Sequence, residues 1–283
     1  MKVLLSGNQA IARGAWESGV HYATGYPGTP STEILESLAA SDGVETEWAI
    51  NEKVALDEGV GVSLAGRRAL VTMKHVGLNV ASDSLMVVAY SGCIGGLVVV
   101  SADDPGMHSS QNEQDNRYYA KFAKVPLLEP VDPQEAKDFV RIAFDLSERF
   151  EVPVLLRTTT RISHAKGVVE LGERDSVEPK RYQTDIPRFL VPPFARKRRP
   201  TVEARLESLR ELSERFEYNC VEEGDPGVGV IASGAGYQYV REVLPHATFL
   251  RLGMAYPFPV EKARAFCARF ERVYVVEEGE PFV

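Results

Sequence analysis

Only three cysteines occur among the 283 residues, Cys93, Cys220 and Cys267, and no two of them form a CxxC pair. That spacing predicts no ferredoxin-type cluster run and no zinc site on this chain, and it does not suit a disulfide-built secreted scaffold. Three reduced thiols at packed positions are expected. Long apolar runs are missing too, so no membrane span is expected, and Val3-Leu4-Leu5 is too short for a signal-peptide core. A cytoplasmic setting follows as the expectation. Basic residues are in deficit, 32 against 40 acidic for a net charge of −8, which argues against a nucleic-acid partner. A GDG motif is also absent. The nearest approach is Gly224-Asp225-Pro226, where a proline replaces the second glycine.

What the chain has in quantity is apolar residues, 44% against 25% charged, enough for one large or two ordinary cores. Over residues 1–165 short apolar runs alternate with helical patterns. Residues 3–5, 22–26, 46–50, 69–73, 96–101 and 154–157 read as buried strands, and residues 9–18, 31–40, 52–65, 81–91 and 133–150 as helices. The last of these is the best marked. Asp132 is placed to cap it, Pro133 occupies its first turn, and Glu135 is placed to complete a capping box. Such alternation predicts an α/β fold, a doubly wound and mostly parallel sheet with helices on both faces.

Residues 166–225 break the rhythm and read as a linker with one helix, at 202–216. Pro187, Pro192, Pro193 and Pro200 bracket the basic run 196–199, which is expected to be a solvated face. Over residues 226–283, strands at 228–233, 248–252 and 273–276 with helices at 236–244 and 260–270 predict a small βαβαβ layer. Gly234-Ala235-Gly236 lacks the third glycine of a dinucleotide fingerprint and reads as a plain tight turn.

Two segments place polar groups where a strand meets a helix, which is where open α/β sheets build ligand sites. In GYPGTPSTEI, residues 25–34, Thr29 and Pro30 read as N-cap and first helical residue, with Ile34, Leu35 and Leu38 as the buried stripe. A helix start of that kind favours an anionic group. In the second segment, residues 51–79, Asn51 is placed to cap a helix with Glu52 in its first turn, close to apolar Val54, Ala55 and Leu56. A lone acid there is most often a helix-end acid and nothing more.

Together with SADDPGMHSSQNEQDNRYYAKFA (residues 101–123) and PVLLRTTTRISH (residues 153–164), these segments resemble the N-terminal pyrimidine-binding domain of the 2-oxoacid:ferredoxin oxidoreductases. The wording is closest to the alpha subunits of the indolepyruvate type. The resemblance covers most of residues 1–165 and implies a sheet of the thiamine diphosphate-binding, pyrimidine-domain type. Residues 226–283, with Tyr256-Pro257-Phe258-Pro259 and Glu277-Glu278, resemble the start of the transketolase C-terminal-like domain that follows in that family. The implied division is a pyrimidine-binding domain at 1–165, a linker at 166–225 and that second, smaller domain at 226–283.

The resemblance also implies a chemistry. Thiamine diphosphate is the expected cofactor. Glu52 matches the family glutamate that donates a hydrogen bond to N1′ of the aminopyrimidine, and Pro27 and Thr29 match positions that line the thiazolium and touch substrate. Pyruvate-type members carry an arginine for the substrate carboxylate after the strand at 96–101, where this chain has Asp103-Asp104. Lys74 or His75 is expected to take that role, with His108 and Asn112 as further substrate contacts from a mobile loop, and Arg161 and His164 at subunit contacts. The implied reaction is oxidative decarboxylation of an aryl 2-oxoacid such as indolepyruvate to acyl-CoA with ferredoxin reduction. Mg²⁺ and 4Fe-4S clusters are expected on a diphosphate-binding domain or partner chain. Expected partners are that domain, a beta subunit, ferredoxin, the 2-oxoacid and CoA, within a homo- or hetero-oligomer. The chain is expected to be a fragment or one half of a split enzyme. The alternatives are a non-catalytic subunit or scaffold of the same fold, or a relative acting on another 2-oxoacid.

Overall fold

The computed structural model describes residues 1–181, 188 and 190–283, so that Pro187 lies outside the described residues. The chain opens with β1 (Lys2–Ser6), α1 (Gly7–Glu17), β2 (Tyr22–Gly25), α2 (Thr32–Ala39), β3 (Glu45–Trp48), α3 (Glu52–Leu64), β4 (Ala69–Lys74), α4 (His75–Ser91) and β5 (Leu97–Asp103). It continues with α5 (Arg117–Ala123), β6 (Leu127–Leu128), α6 (Pro133–Phe150), β7 (Val154–Thr159), α7 (Thr160–His164) and β8 (Lys166–Glu170). The remainder is α8 (Pro192–Arg215), β9 (Cys220–Glu222), β10 (Asp225–Ser233), α9 (Gly234–Val243), β11 (Ala247–Leu252), β12 (Met254–Tyr256), α10 (Val260–Cys267) and β13 (Val273–Val276).

The main sheet runs β12-β6-β7-β5-β4-β2-β3, and every neighbouring pair except β12–β6 is parallel. Its central strands are sealed on both faces because their side chains alternate between two cores. Leu70, Val98, Val100, Val154 and Leu156 pack with Ile11, Leu35, Phe139 and Phe144 of α1, α2 and α6. Val71, Met73, Leu97, Val99 and Leu155 pack on the other face with Leu56, Leu78 and Leu85 of α3 and α4. The expected doubly wound, mostly parallel α/β sheet is what forms. A second sheet, β13-β10-β11-β9, has parallel pairs at its centre and antiparallel β9 at its edge. Phe216, Ala235 and Met254 share the core of Phe139, so the two sheets are joined through common packing. Among the described residues no helix is long and apolar enough to cross a membrane.

Several local expectations are corrected. Residues 3–5 do form a strand, but β1 pairs antiparallel with β8 in a separate two-stranded sheet and leaves Leu4 64% exposed. Strand β3 is an exposed edge, not a buried strand. In both, a run of apolar residues says nothing about whether a second layer covers it. Helix α4 begins at His75, six positions ahead of the expected 81, and α5, β6 and α7 are too short to leave a periodic signal. At α6 the Asp132 side chain does accept from Glu135 N–H, yet no capping box closes, because the Glu135 carboxylate instead accepts from Val131 N–H and pairs with Arg251. The stretch 166–225 carries β8 and β9 as well as a helix, and that helix starts at Pro192 and contains Pro200. The basic run lies within it. Arg196, Lys197 and Arg199 are exposed, as a solvated face requires, whereas Arg198 is buried and donates to the Tyr90 carbonyl at 2.9 Å near the carboxyl end of α4.

Candidate active site

Strand β2 leads through α2 to edge strand β3, and α3 then returns the chain to β4 on the other side of β2. The direction of winding therefore reverses between β2 and β4, and such a switch point opens a crevice at the carboxyl ends of the strands. Four segments meet that end of the sheet: the turn after β2, Asn51-Glu52 after β3, the start of α4 after β4, and the loop after β5.

Asn51 caps α3 as expected, its Oδ1 accepting from Val54 N–H at 3.0 Å. Glu52 then projects over the first turn of α4. An ideal Cβ placed on Gly77 would lie 2.5 Å from Glu52 Cγ, 2.6 Å from Oε1 and 2.8 Å from Cδ. Only a glycine leaves room for this carboxyl group. Among the described residues it has no hydrogen-bond or ion-pair partner, while Ala55 and Leu56 one turn further along α3 are fully buried. A carboxyl group seated against bare backbone, backed by apolar residues and unengaged, is poised to hydrogen-bond a ligand.

The turn after β2 is built differently from the expectation. Thr29 is not an N-cap: the Thr29-Pro30 bond is cis and α2 begins at Thr32, with Ser31 as its N-cap. The turn closes on itself, since Ser31 N–H donates to the Gly28 carbonyl at 2.8 Å and Gly28 N–H to Thr32 Oγ1 at 2.9 Å. Pro27 and Thr29 are left exposed at its tip. Ile34, Leu35 and Leu38 are buried, as the helical spacing predicts.

Lys74 ends β4. Its stem passes Gly28, where an added Cβ would come within 3.0 Å, and its ammonium donates to the Ser109 carbonyl at 2.8 Å. Among the described residues Lys74 has no carboxylate partner. Lys53, Arg117, Arg157 and Arg161, by contrast, are all ion-paired. His75 is fully buried. Its Nε2 lies 3.3 Å from the Asn112 carbonyl and its Nδ1 has no partner among the described residues. Asn112 is exposed, with its side-chain oxygen taken by Gln114, and exposed His108 lies over Gly106 further out on the same loop. The structure thus brings Pro27, Thr29, Lys74, His75 and Asn112 to one rim, with Glu52 seated on the first turn of α4 that follows Lys74 and His75. His108 stands apart. Arg161 pairs within the chain with Glu278 at 2.6 Å, and His164 lies 3.9 Å from Glu33.

The loop after β5 is latched by Asp104, which accepts from His108 N–H at 3.2 Å, Ser109 N–H at 2.8 Å, Ser110 Oγ at 2.5 Å and Thr160 Oγ1 at 2.7 Å. Burial alone would raise its pKa, but these donors, led by Ser110, outweigh burial and hold it well below the usual carboxylate range. Asp103 turns inward instead, to Arg157 Nε at 2.7 Å. Fully buried Arg157 also meets Glu129 and the Glu278 carbonyl, and its pKa is held above the ordinary value because Asp103, Glu129 and Asp115 outweigh its burial. Gly28, Gly77 and Asp104 were not legible as site residues. Gly77 carries only the weak signal of a glycine early in a helical pattern. Burial pushes the Cys93 thiol up to about 12, as suits a packed, inert cysteine. Among the described residues no group of three His, Cys, Asp or Glu side chains is arranged to hold a metal ion.

Comparison with known proteins shows what the chain as a whole is similar to. The family model described as pyruvate flavodoxin/ferredoxin oxidoreductase, thiamine diphosphate-binding, matches residues 13–207. The chain is 48% identical over 301 residues to indolepyruvate oxidoreductase subunit IorA of Archaeoglobus fulgidus, covering 100% of this chain and 48% of that one. It is 46% identical over 298 residues to the protein of the same name from Pyrococcus horikoshii, covering 100% of this chain and 46% of the relative. The chain therefore spans about half the length of the curated relatives it matches. A solved structure, the 2-oxoglutarate:ferredoxin oxidoreductase from Magnetococcus marinus with 2-oxoglutarate, coenzyme A and succinyl-CoA bound, superposes with a TM-score of 0.78. That match has 18% identity, covers 97% of this chain and 57% of the other, and shows a shared fold.

Proposed function

The chain belongs to the pyruvate flavodoxin/ferredoxin oxidoreductase family, matched in its thiamine diphosphate-binding region, and on that footing we propose that it is the pyrimidine-binding part of an indolepyruvate-type oxidoreductase. The reaction is oxidative decarboxylation of an aryl 2-oxoacid, with CoA taking the acyl group and ferredoxin the electrons. The observation that carries this reading is the Glu52 carboxyl group seated on Gly77 at the switch point of the sheet. A scaffold that only kept the fold has no need of that seat.

The residues fit the aminopyrimidine. Bound thiamine diphosphate supplies a carbon nucleophile and an electron sink for decarboxylation. Glu52 holds a proton at N1′ of the aminopyrimidine, and Pro27 and Thr29 form the wall beside the thiazolium. Lys74 pairs with the substrate carboxylate, which its unmatched charge supports. His108, apart from the rim on the Asp104-latched loop, is the further contact to the aryl side, while His75 and Asn112 hold the base of that loop to the start of α4. The diphosphate, its Mg²⁺ and the 4Fe-4S clusters belong to a diphosphate-binding domain or subunit. The edge at Trp48 and Ile50, the latter 81% exposed, supports a docking face beside Glu52 for that partner. Residues 1–165 form the pyrimidine-binding unit and 226–283 the transketolase C-terminal-like unit of a cytoplasmic oligomer that includes a beta subunit.

The test is calorimetric titration of thiamine diphosphate and Mg²⁺ into the chain with its partner subunit, alongside indolepyruvate-dependent ferredoxin reduction. The expected result is tight binding only in the assembly, with turnover abolished by Glu52→Gln. Binding absent from every combination would overturn the reading.

A further inference from the structure

We propose that two buried asparagines, Asn8 and Asn116, are positioning residues that pin the two walls of this site. Asn8 fixes the turn at Thr29-Pro30, and Asn116 fixes the first turn of α4 against Glu52. Each is 1% exposed and each splits its amide nitrogen between a backbone carbonyl of the wall and a second acceptor. Asn8 Nδ2 donates to the Pro30 carbonyl at 2.7 Å and to Glu33 Oε2 at 2.9 Å. Asn116 Nδ2 donates to the His75 carbonyl at 3.0 Å and to Ser101 Oγ at 2.7 Å.

Three further observations separate positioning from ordinary packing. The amide oxygen of each asparagine is buried with no partner among the described residues, an uncompensated cost that a packing role would shed by using an apolar side chain. The helices that they hold, α2 and α4, start at Ser31 and Lys74 without a side-chain cap, whereas α3 between them is capped by Asn51. The two walls are thus tied from outside through their carbonyls, by residues 22 and 41 positions away in sequence. Both anchors are themselves held rigidly. Asn8 sits in the first turn of α1, whose Ser6–Gln9 capping box is complete, and Asn116 N–H donates to Asp103 Oδ2 at 3.0 Å, which is braced by Arg157. Because Gly77 follows His75 by two positions, slack at the His75 carbonyl moves the surface on which Glu52 rests.

The functional half of this proposal rests on the thiamine diphosphate reading, and the structural half does not. Amide hydrogen exchange is measured at residues 31–34 and 76–79 in the chain itself for Asn8→Ala and Asn116→Ala. Thiamine diphosphate affinity, kcat and KM are measured in the assembly with the partner subunit. Asn8→Ala is expected to speed exchange at 31–34 alone and Asn116→Ala at 76–79 alone. Each variant should weaken cofactor binding and lower kcat by about ten-fold, with KM for the 2-oxoacid changed less than about two-fold. Leu85→Ala, on the buried face of α4 about three turns from its start, serves as a control that lowers Tm without the affinity loss. Should Asn116→Ala fail to fold, Asn116→Ser keeps a donor at the site and is expected to show the same pattern more weakly. Unchanged local exchange overturns the pinning, and faster exchange with wild-type cofactor affinity overturns its functional role. A wild-type assembly that binds no thiamine diphosphate would sink the functional reading and, with it, the functional half of this one, while exchange still decides the pinning.

Discussion

Two positions at the rim of the sheet lend themselves to opposite kinds of substitution. At Gly77 an alanine should help the helix, since glycine in a helix interior is about 1 kcal/mol worse than alanine. The added carbon would nonetheless meet Glu52 Cγ at 2.5 Å, and the carboxyl group must move. Relief of that contact moves the group by about 1 Å, and a misplacement of that size costs about 100-fold in turnover for an activating group. Gly77→Ala is therefore expected to lose activity in the assembly while its melting temperature holds. Wild-type kcat in that variant would show that the seat does not matter. At Lys74 the ammonium has a neutral partner, the Ser109 carbonyl, so Lys74→Met should leave the fold intact while giving up that bond and the proposed bond to substrate. Hydrogen bonds to charged groups contribute about 1.5–3 kcal/mol, so KM for the 2-oxoacid should rise about ten-fold or more. An unchanged KM dismisses the assignment.

The loop after β5 shows how one carboxylate organises an element that has no regular structure. Asp104 takes two backbone N–H groups and three hydroxyls, and in doing so carries Ser109 to the Lys74 ammonium. Its folded-state pKa lies below the unfolded value, so the latch contributes its full stabilisation above the unfolded pKa of about 3.9 and loses it as pH falls through the depressed folded value. Exchange protection of residues 106–112 should accordingly stay flat from neutral pH down to about 4 and decline only below that. Asp104→Asn should loosen the same amides at every pH, and a loop equally protected in that variant would show that the latch is elsewhere. The caps tell a complementary story at this scale. Those at Asn51 and Asp132 were legible because capping is a local affair of three residues. A cap at Thr29 does not form, and the sequence does not show this, because a polar residue before a proline looks the same whether the next bond enters a helix or turns through a cis peptide.

Across the whole molecule the two sheets are held by buried charge as well as by shared apolar packing. Arg157 binds Asp103 and Glu129 from one side and the Glu278 carbonyl from the other, while Arg117 joins Asp115 to Glu277. Removing one member of such a network strands the others, a loss of about 3–5 kcal/mol. Arg157→Met is expected to lower the denaturant midpoint by a corresponding amount and to free the segment 277–280 from protection. A midpoint within error of wild type would mean that the packing around Phe139 alone joins the sheets. Nothing in the strand at 154–159 announces this role. An arginine at the end of an apolar run reads as a strand terminus, and its partners come from four separate segments.

What the sequence determined by itself was everything carried by neighbours within a few turns: the alternation that makes a doubly wound sheet, the caps at Asn51 and Asp132, and the family. Periodicity and capping are local, and a family match transfers positions one at a time. Tertiary structure alone decided that Glu52 rests on Gly77, that Asn8 bonds the Pro30 carbonyl and Asn116 that of His75, that Asp103 turns to Arg157 and Asp104 to the loop, and that β12 returns to the edge of the large sheet. Those contacts join segments far apart in the chain, and which of them meet depends on the order in which strands cross, a property that no single stretch of sequence contains.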